Sequence, residues 1–310
     1  MSYRAILPQR NPSCGEGSIE IEAVTRKRID STSERKGKKT FDHSEVVSMK
    51  HSYPFRFLVP HNSTPGPCKW IYPLTYGGGL VGGDKISATI KVGEGCAAVV
   101  CTQESTKVYH CNLSNETVQE MLYIVEDEGL LCILPDPTVC YRDANFSQKQ
   151  IVHMKPTSSV VLLDWMLGGR VALDESWVFK RYCNSIEFYL SEELVIRECT
   201  ELEDTPNKTV VEAMQGFQVY GTCIVLGENL SSLVDSLSDK YGRKKDIGEK
   251  TDQDLVVSIS QTKYTVEGET TEGCYLRFLA TNAKSAARVI HDITDPLLDI
   301  LGADPFERKL

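Results

Sequence analysis

The chain lacks closely spaced cysteine pairs. Such pairs are typical of disulfide-rich scaffolds and of structural zinc sites. Its 11 cysteines are scattered from Cys14 to Cys274, and no two of them form a Cys-x-x-Cys pair. An odd and unpaired set is atypical of a disulfide framework, and it lacks the close ligand pairs of a structural zinc site. We therefore predict reduced thiols, no tightly bound cofactor and no permanent metal site.

Long apolar runs and excess positive charge are also absent. The longest apolar run, at 159–163, is far shorter than the roughly 20 residues of a membrane-spanning helix. Lys and Arg total 34 against 43 Asp and Glu, a formal net charge of -9, whereas nucleic-acid-binding domains are usually basic. The first residues show no secretory signal pattern. We expect a cytoplasmic protein that binds neither nucleic acid nor membranes.

Most of the sequence shows the periodicity of β-strands. Residues Ile86 to Val92 alternate apolar and polar side chains, which is typical of a half-buried strand. Only Asn229 to Tyr241 and Asn282 to Ile293 show helical spacing, each after a candidate Asn cap. This order differs from the strand–helix alternation of a parallel α/β sheet, and it predicts a mainly β fold. Further strands are predicted at 96–102, 130–134, 159–163, 186–190, 194–196 and 218–226.

The length of 310 residues fits one large β domain. We assign residues 1–18 to an N-terminal tail and residues 19–310 to a single domain. Two charged segments, 26–39 and 243–254, are predicted to be solvated loops.

The most conspicuous motif is the glycine-rich segment 76–84. Three of its glycines, Gly77, Gly79 and Gly82, satisfy the G-x-G-x-x-G pattern of dinucleotide-binding proteins. That function also requires a helix directly after the motif, and the sequence instead continues into the predicted strand at Ile86. A compact turn between two strands is therefore the favoured interpretation.

Asp164 is the most informative charged residue, because it directly follows the apolar residues 160–163. Burying a carboxylate is unfavourable unless it is paired. Asp164 therefore either pairs with a lysine or arginine inside the core, or lines a hydrated passage whose carboxylates suit a divalent cation.

Catalytic signatures are scarce. The chain has no G-x-S-x-G nucleophile elbow, and its cysteines lack a recognisable catalytic neighbourhood. We predict that the protein is not an enzyme, although a spatial triad would leave no such trace in the sequence.

Four motifs, taken in their order along the chain, resemble the UreD (UreH) family of urease accessory proteins. Their amino-acid sequences are most similar to the plant-like branch of that family. They are LTYGGGLVGGD (74–84), TQESTKVY (102–109), LPDPTVCY (134–141) and DWMLGGR (164–170), the last followed by Trp-x-Phe at 177–179.

This resemblance implies a stacked-sheet, β-helix-like fold with about two α-helices toward the C-terminal half. It further implies a non-catalytic scaffold that binds apo-urease and the accessory protein UreF, which recruits the GTPase UreG. In such a protein an internal tunnel would pass nickel, held transiently, toward the urease active site. The alternative is a protein of the same fold that serves as an interaction module unrelated to urease.

The resemblance also suggests roles for individual residues. Asp84, Asp164 and Glu198 match acidic positions of the family and become the candidates for nickel passage. Lys107 and Arg170 are expected to pair with carboxylates inside the fold. The remaining motif residues are given structural roles: Gly77, Gly78, Gly79, Gly82, Gly83 and Gln103.

Overall fold

The computed structural model describes residues 13–23, 41, 43–61, 66–111, 115–170, 173–243, 252–307 and 309. Within these ranges the chain forms 17 strands and four α-helices, so the predicted mainly β fold is confirmed. The strands are β1 (Cys14–Ala23), β2 (Ser44–His51), β3 (Phe55–Leu58), β4 (Lys69–Thr75), β5 (Lys85–Val92), β6 (Ala97–Val100), β7 (Thr106–Val108), β8 (Thr117–Val125), β9 (Leu130–Ile133), β10 (Thr138–Cys140), β11 (Asn145–Met154), β12 (Ser159–Leu167), β13 (Arg181–Leu190), β14 (Glu193–Glu203), β15 (Val219–Leu226), β16 (Leu255–Val266) and β17 (Glu269–Ala280). The helices are α1 (Val210–Met214), α2 (Ser231–Tyr241), α3 (Ala283–Thr294) and α4 (Leu298–Leu301).

The strands form two stacked sheets. The first sheet has seven strands in the order β14-β13-β11-β8-β5-β1-β2, with parallel pairing from β13 to β1. The second sheet has 10 strands, and its main path runs β16-β17-β15-β12-β9-β6-β4-β3. From β5 to β13 the chain repeatedly crosses from one sheet to the other, so successive coils stack in parallel. This is the expected β-helix-like arrangement.

Period-two alternation places one face of each strand of the first sheet in the core. The inward side chains of β5, such as Ile86 and Ile90, pack against residues of the second sheet such as Leu131 and Leu162. The opposite face of the second sheet packs against α2 and α3. Strand β12 is therefore covered on both faces, which explains the continuous apolar run before Asp164.

The two long helices lie where the sequence predicts them, but only one of the two caps is correct. Asn282 caps α3 by accepting a hydrogen bond from the backbone N of Ser285 at 2.9 Å. The predicted Asn229 cap is wrong, because a 3-10 turn over Glu228–Leu230 precedes α2 and Leu230 provides no side-chain cap. Helices α1 and α4 were not predicted, since five and four residues are too few to show helical periodicity.

The ends and loops are described only in part. Strand β1 begins at Cys14 and pairs with β5 from that residue onward, so 14–18 contribute to the first sheet. Residues 1–12 of the predicted tail, the predicted loop 26–39 and residues 244–251 of the second loop lie outside the described residues. No helix within the described ranges is both long enough and apolar enough to cross a membrane.

A tight contact between β15 and β17 offers a test of the packing. The ring of Phe278, which is fully buried, covers the Cα of Gly221, so a Cβ added at Gly221 would collide with that ring. We expect Gly221→Ala to lower the free energy of unfolding by about 1–3 kcal/mol, because the core cannot absorb the extra methyl. Urea unfolding would measure this.

The matched control is the double variant Gly221→Ala with Phe278→Leu. Its destabilisation should be smaller than the sum of the two single effects, because the smaller side chain makes room for the methyl. Additive effects would contradict the packing of Gly221 against Phe278.

Candidate functional site

The glycine-rich segment connects β4 of the second sheet to β5 of the first. Gly78 has a φ of 71°, and Gly79 lies so close to the carbonyl of Lys107 that a side chain there would clash. The backbone N of Leu80 donates to that carbonyl at 2.8 Å. Because strand β5 begins directly after the segment, the turn interpretation is confirmed and the dinucleotide interpretation is wrong.

Asp84 fixes the end of this loop. Its carboxylate is fully buried and accepts hydrogen bonds from the backbone N of Val81 at 3.0 Å and of Ser13 at 3.0 Å. The side chain thus ties the loop to the start of β1. It does not line either of the two cavities described below, so its immediate contacts are those of a structural residue.

An internal cavity of about 90 Å³ lies between the sheets, with Asp164 in its wall. A second cavity of about 400 Å³ opens at the surface beside the glycine-rich loop, and Gln103 contributes to its lining. The two cavities share four lining residues, namely Pro73, Thr75, Thr102 and Thr106. A cavity lined by both polar and apolar side chains therefore lies directly behind a pocket on the surface, and it has room for ordered water.

Asp164 is held by neutral donors alone. Its carboxylate accepts hydrogen bonds from Asn184 Nδ2 at 2.9 Å, Gln150 Nε2 at 3.1 Å, the Tyr182 hydroxyl at 3.2 Å and Gln148 Nε2 at 3.3 Å. No lysine or arginine in the described part of the chain forms an ion pair with it. The predicted alternative of a buried ion pair is therefore wrong.

Burial dominates the electrostatics of this carboxyl. It raises the pKa of Asp164 from 3.8 to about 6, and the hydrogen bonds from Tyr182 and the two glutamines oppose the shift only in part. Burial, followed by the charge of Asp164, raises the pKa of Tyr182 well above 10.0, so the phenol remains a proton donor. At neutral pH the interior thus holds a carboxylate without a counter-charge.

One amide oxygen without a hydrogen-bond partner belongs to a side chain that contacts this carboxylate. The Oδ1 of Asn184 is buried and has no hydrogen-bond partner. Amide and carboxylate oxygens suit hard or borderline divalent cations. Across the described ranges, no cluster of three or more His, Cys, Asp or Glu side chains is placed to hold a metal. The arrangement can attract a cation but offers too few strong ligands to store one.

A row of polar side chains, here called the polar seam, extends from Asp164 toward the edge of the two sheets. Thr222 lies beside Asp164 on the neighbouring strand, and its hydroxyl donates to the hydroxyl of Tyr220 at 3.3 Å. The hydroxyls of Tyr220 and Thr200 are 3.0 Å apart, and Thr200 donates to Glu198 at 3.3 Å. Two of the three predicted acidic residues, Asp164 and Glu198, therefore lie on one polar row.

Glu198 differs from Asp164 because an arginine neutralises it. Nη2 of Arg277 lies 2.9 Å and 2.7 Å from the two carboxylate oxygens of Glu198. The Glu198 side chain is 11% exposed and that of Arg277 is 49% exposed. This pair joins the edge strand β14 of the first sheet to β17 of the second, and it closes the polar seam near the surface.

The two predicted basic residues both pair with carboxylates. Arg170 donates to Glu175 through Nε at 2.7 Å and Nη2 at 2.6 Å, in a partly buried pair over the ring of Tyr141. Lys107 donates to Glu104 at 3.2 Å, and this bond raises the lysine pKa. Glu104 is largely exposed, so this ion pair lies at the surface. The prediction that Lys107 pairs inside the fold is therefore wrong.

Comparison with known proteins agrees with the resemblance of the four motifs. The model of the UreD urease accessory protein family matches residues 31–309. The chain is 33% identical to urease accessory protein D of Oryza sativa subsp. indica over 224 residues, which cover 72% of this chain and 73% of that protein. It is 36% identical to urease accessory protein D of Arabidopsis thaliana over 193 residues, 61% of this chain and 66% of the relative. Its identity to UreD of Sorangium cellulosum is 31% over 256 residues, 83% and 77% of the two chains.

The raised pKa of Asp164 leads to a test of its environment by pH. The folded chain binds this proton more tightly than the unfolded chain, so ionisation of Asp164 weakens folding. As the pH rises from 4 to 7, the wild type should lose roughly 2 kcal/mol of unfolding free energy relative to Asp164→Asn, with most of the change below pH 6. Urea unfolding of both chains at several pH values measures this difference.

Subtracting the variant from the wild type cancels the titration of all other groups. A difference that stays constant with pH, or that favours the wild type as pH rises, would mean that burial does not raise the pKa of Asp164 in the folded chain.

Proposed function

The chain belongs to the UreD family of urease accessory proteins, and on this premise we propose that it is a non-catalytic scaffold that helps deliver nickel to apo-urease. Family membership supports a role in urease maturation. The nickel ion is cargo in this proposal, and the chain's own residues provide its path.

The buried and uncompensated carboxylate of Asp164 is the observation that carries the proposal. At neutral pH it leaves a negative charge in a water-sized cavity directly behind a surface pocket. Such a charge lowers the cost of bringing a divalent cation between the sheets, because each charge compensates the other. A purely structural core would gain more from an apolar side chain at this position.

The polar seam gives the cation a continuation beyond Asp164. Hydroxyl groups of Thr222, Tyr220 and Thr200 bridge the distance to Glu198, and each can offer an oxygen. Hydroxyl and amide oxygens bind nickel more weakly than imidazole or thiolate does. Weak ligands favour passage over retention, which suits a delivery protein and explains why we propose transient nickel binding only.

The same premise extends to partners and location. We propose that the chain binds apo-urease and a UreF-type accessory protein, and that a UreG-type GTPase joins the complex through UreF. GTP hydrolysis would then be supplied by that partner, so the chain itself needs no catalytic residues. Assembly would take place in the cytoplasm, without nucleic acid or a membrane.

Co-production of urease with the UreF- and UreG-type proteins and this chain tests the proposal. We expect Asp164→Asn to lower both the nickel content of urease and its ureolytic activity by roughly tenfold, the scale on which loss of a group in a metal site acts. Metal analysis and an ammonia-release assay on the purified urease measure the two quantities.

Asp235→Asn is the matched control, because Asp235 is an exposed carboxylate on α2, away from both cavities. This variant should support full activation. Thermal melts of both variants must match the wild type closely enough to exclude misfolding. Full activation by a folded Asp164→Asn chain would refute the passage, and activation without the chain would favour an interaction module unrelated to urease.

A further inference from the structure

The surface pocket beside the glycine-rich loop has a charge that the passage does not explain. Arg56 on β3 lines this pocket. Its Nε is buried and has no hydrogen-bond partner, and no described carboxylate forms an ion pair with the guanidinium. A partly desolvated arginine is unfavourable unless an anion pairs with it. In the free chain, the positively charged guanidinium of Arg56 therefore has no anionic partner among the described residues of the pocket that adjoins the internal cavity.

The other charged groups of the pocket do not compensate Arg56. Lys107 and Glu104 both line the pocket and neutralise each other at 3.2 Å. The pocket thus keeps one net positive charge on a chain whose formal net charge is -9. Two further lining residues, Gly77 and Gly78, present amide groups that donate no hydrogen bond within the described chain. Arginine together with free amides suits a carboxylate, which accepts two or more hydrogen bonds.

An exposed aromatic pair lies beside the arginine. Tyr53 is 61% exposed and Tyr76 is 47% exposed, and their ring centroids are 5.4 Å apart. The guanidinium carbon of Arg56 lies 6.0 Å from the centroid of the Tyr76 ring. Tyrosine and arginine are the residue types that most often contribute strongly to protein–protein binding. A free small anion would leave the exposed ring of Tyr76 uncovered, whereas an adjoining polypeptide would cover it.

We propose that this pocket binds an acidic segment of a partner protein, with an aspartate or glutamate of that segment pairing with Arg56 and its backbone packing on Tyr76. This inference rests on the proposed function, since the partner is a protein of urease maturation. It adds a docking point to that function and places it at the mouth of the internal cavity, so a bound partner would cover the opening toward Asp164.

Binding measurements with purified partners test the docking point. Apo-urease and the UreF-type protein are each titrated against the full chain, its Arg56→Gln variant and its Tyr76→Ala variant. We expect both variants to weaken the binding of the same partner by about tenfold or more. Arg56→Lys, which keeps the charge but loses the planar fork, should recover part of the affinity. The wild-type affinity should also fall more steeply with added salt than that of Arg56→Gln.

Arg288→Gln is the control, because Arg288 is an exposed arginine that lies on α3, away from the pocket, and pairs with Asp252. It should leave both affinities unchanged. Wild-type affinity of Arg56→Gln for both partners would overturn the docking point and leave the proposed function intact. Failure of the unaltered chain to bind either partner would overturn both proposals. An equal loss in Arg288→Gln would also overturn the docking point, since the effect would then be one of general charge.

Discussion

The carboxylate of Asp164 ionises between the two sheets, and it determines which side chains can face it from the neighbouring strands. Asp164 has no basic partner, so its stability in the fold depends on four neutral donors that reach it from β11 and β13. Each donor occupies an inward position that an apolar side chain would otherwise fill, which weakens the core at this level. The presence of these polar side chains at inward positions also leaves room for water beside the carboxylate. The unfavourable charge and the cavity beside it thus have one structural origin.

The parallel stacking of coils explains why the polar residues form a row. In the first sheet, Gln119, Gln148, Asn184 and Thr200 occupy matching positions on four neighbouring strands. Because the side-chain period is two in every strand, all four side chains point toward the second sheet. The next inward level still contains Gln150, and the level beyond it, with Val152 and Phe188, is apolar. The polar side chains therefore occupy adjoining levels of the interior, and apolar packing resumes beyond them.

The sequence predicts the strands better than it predicts the site. Alternation reveals β5, and the short continuous apolar run at 160–163 reveals both β12 and the unusual position of Asp164. The donors Gln148 and Gln150 alternate with apolar residues in β11, yet their importance depends on cross-strand register, which a single sequence does not contain. Arg277 lies 79 residues from Glu198, so their pairing was equally inaccessible. The Asn229 cap failed because the chain forms a 3-10 turn before α2.

The two ends of the polar seam differ in charge balance, and this difference gives the proposed passage a direction. A cation at Asp164 meets an uncompensated anion, whereas a cation at Glu198 must compete with the guanidinium of Arg277. The Arg277 side chain is about half exposed, so it can turn toward water at a lower desolvation cost than a buried group would incur. In the proposed passage, attraction would therefore be strongest in the interior, and release near the surface would depend on movement of Arg277. Within that proposal, a contact that repositions Arg277 would control the exit without altering the binding of the cation at Asp164.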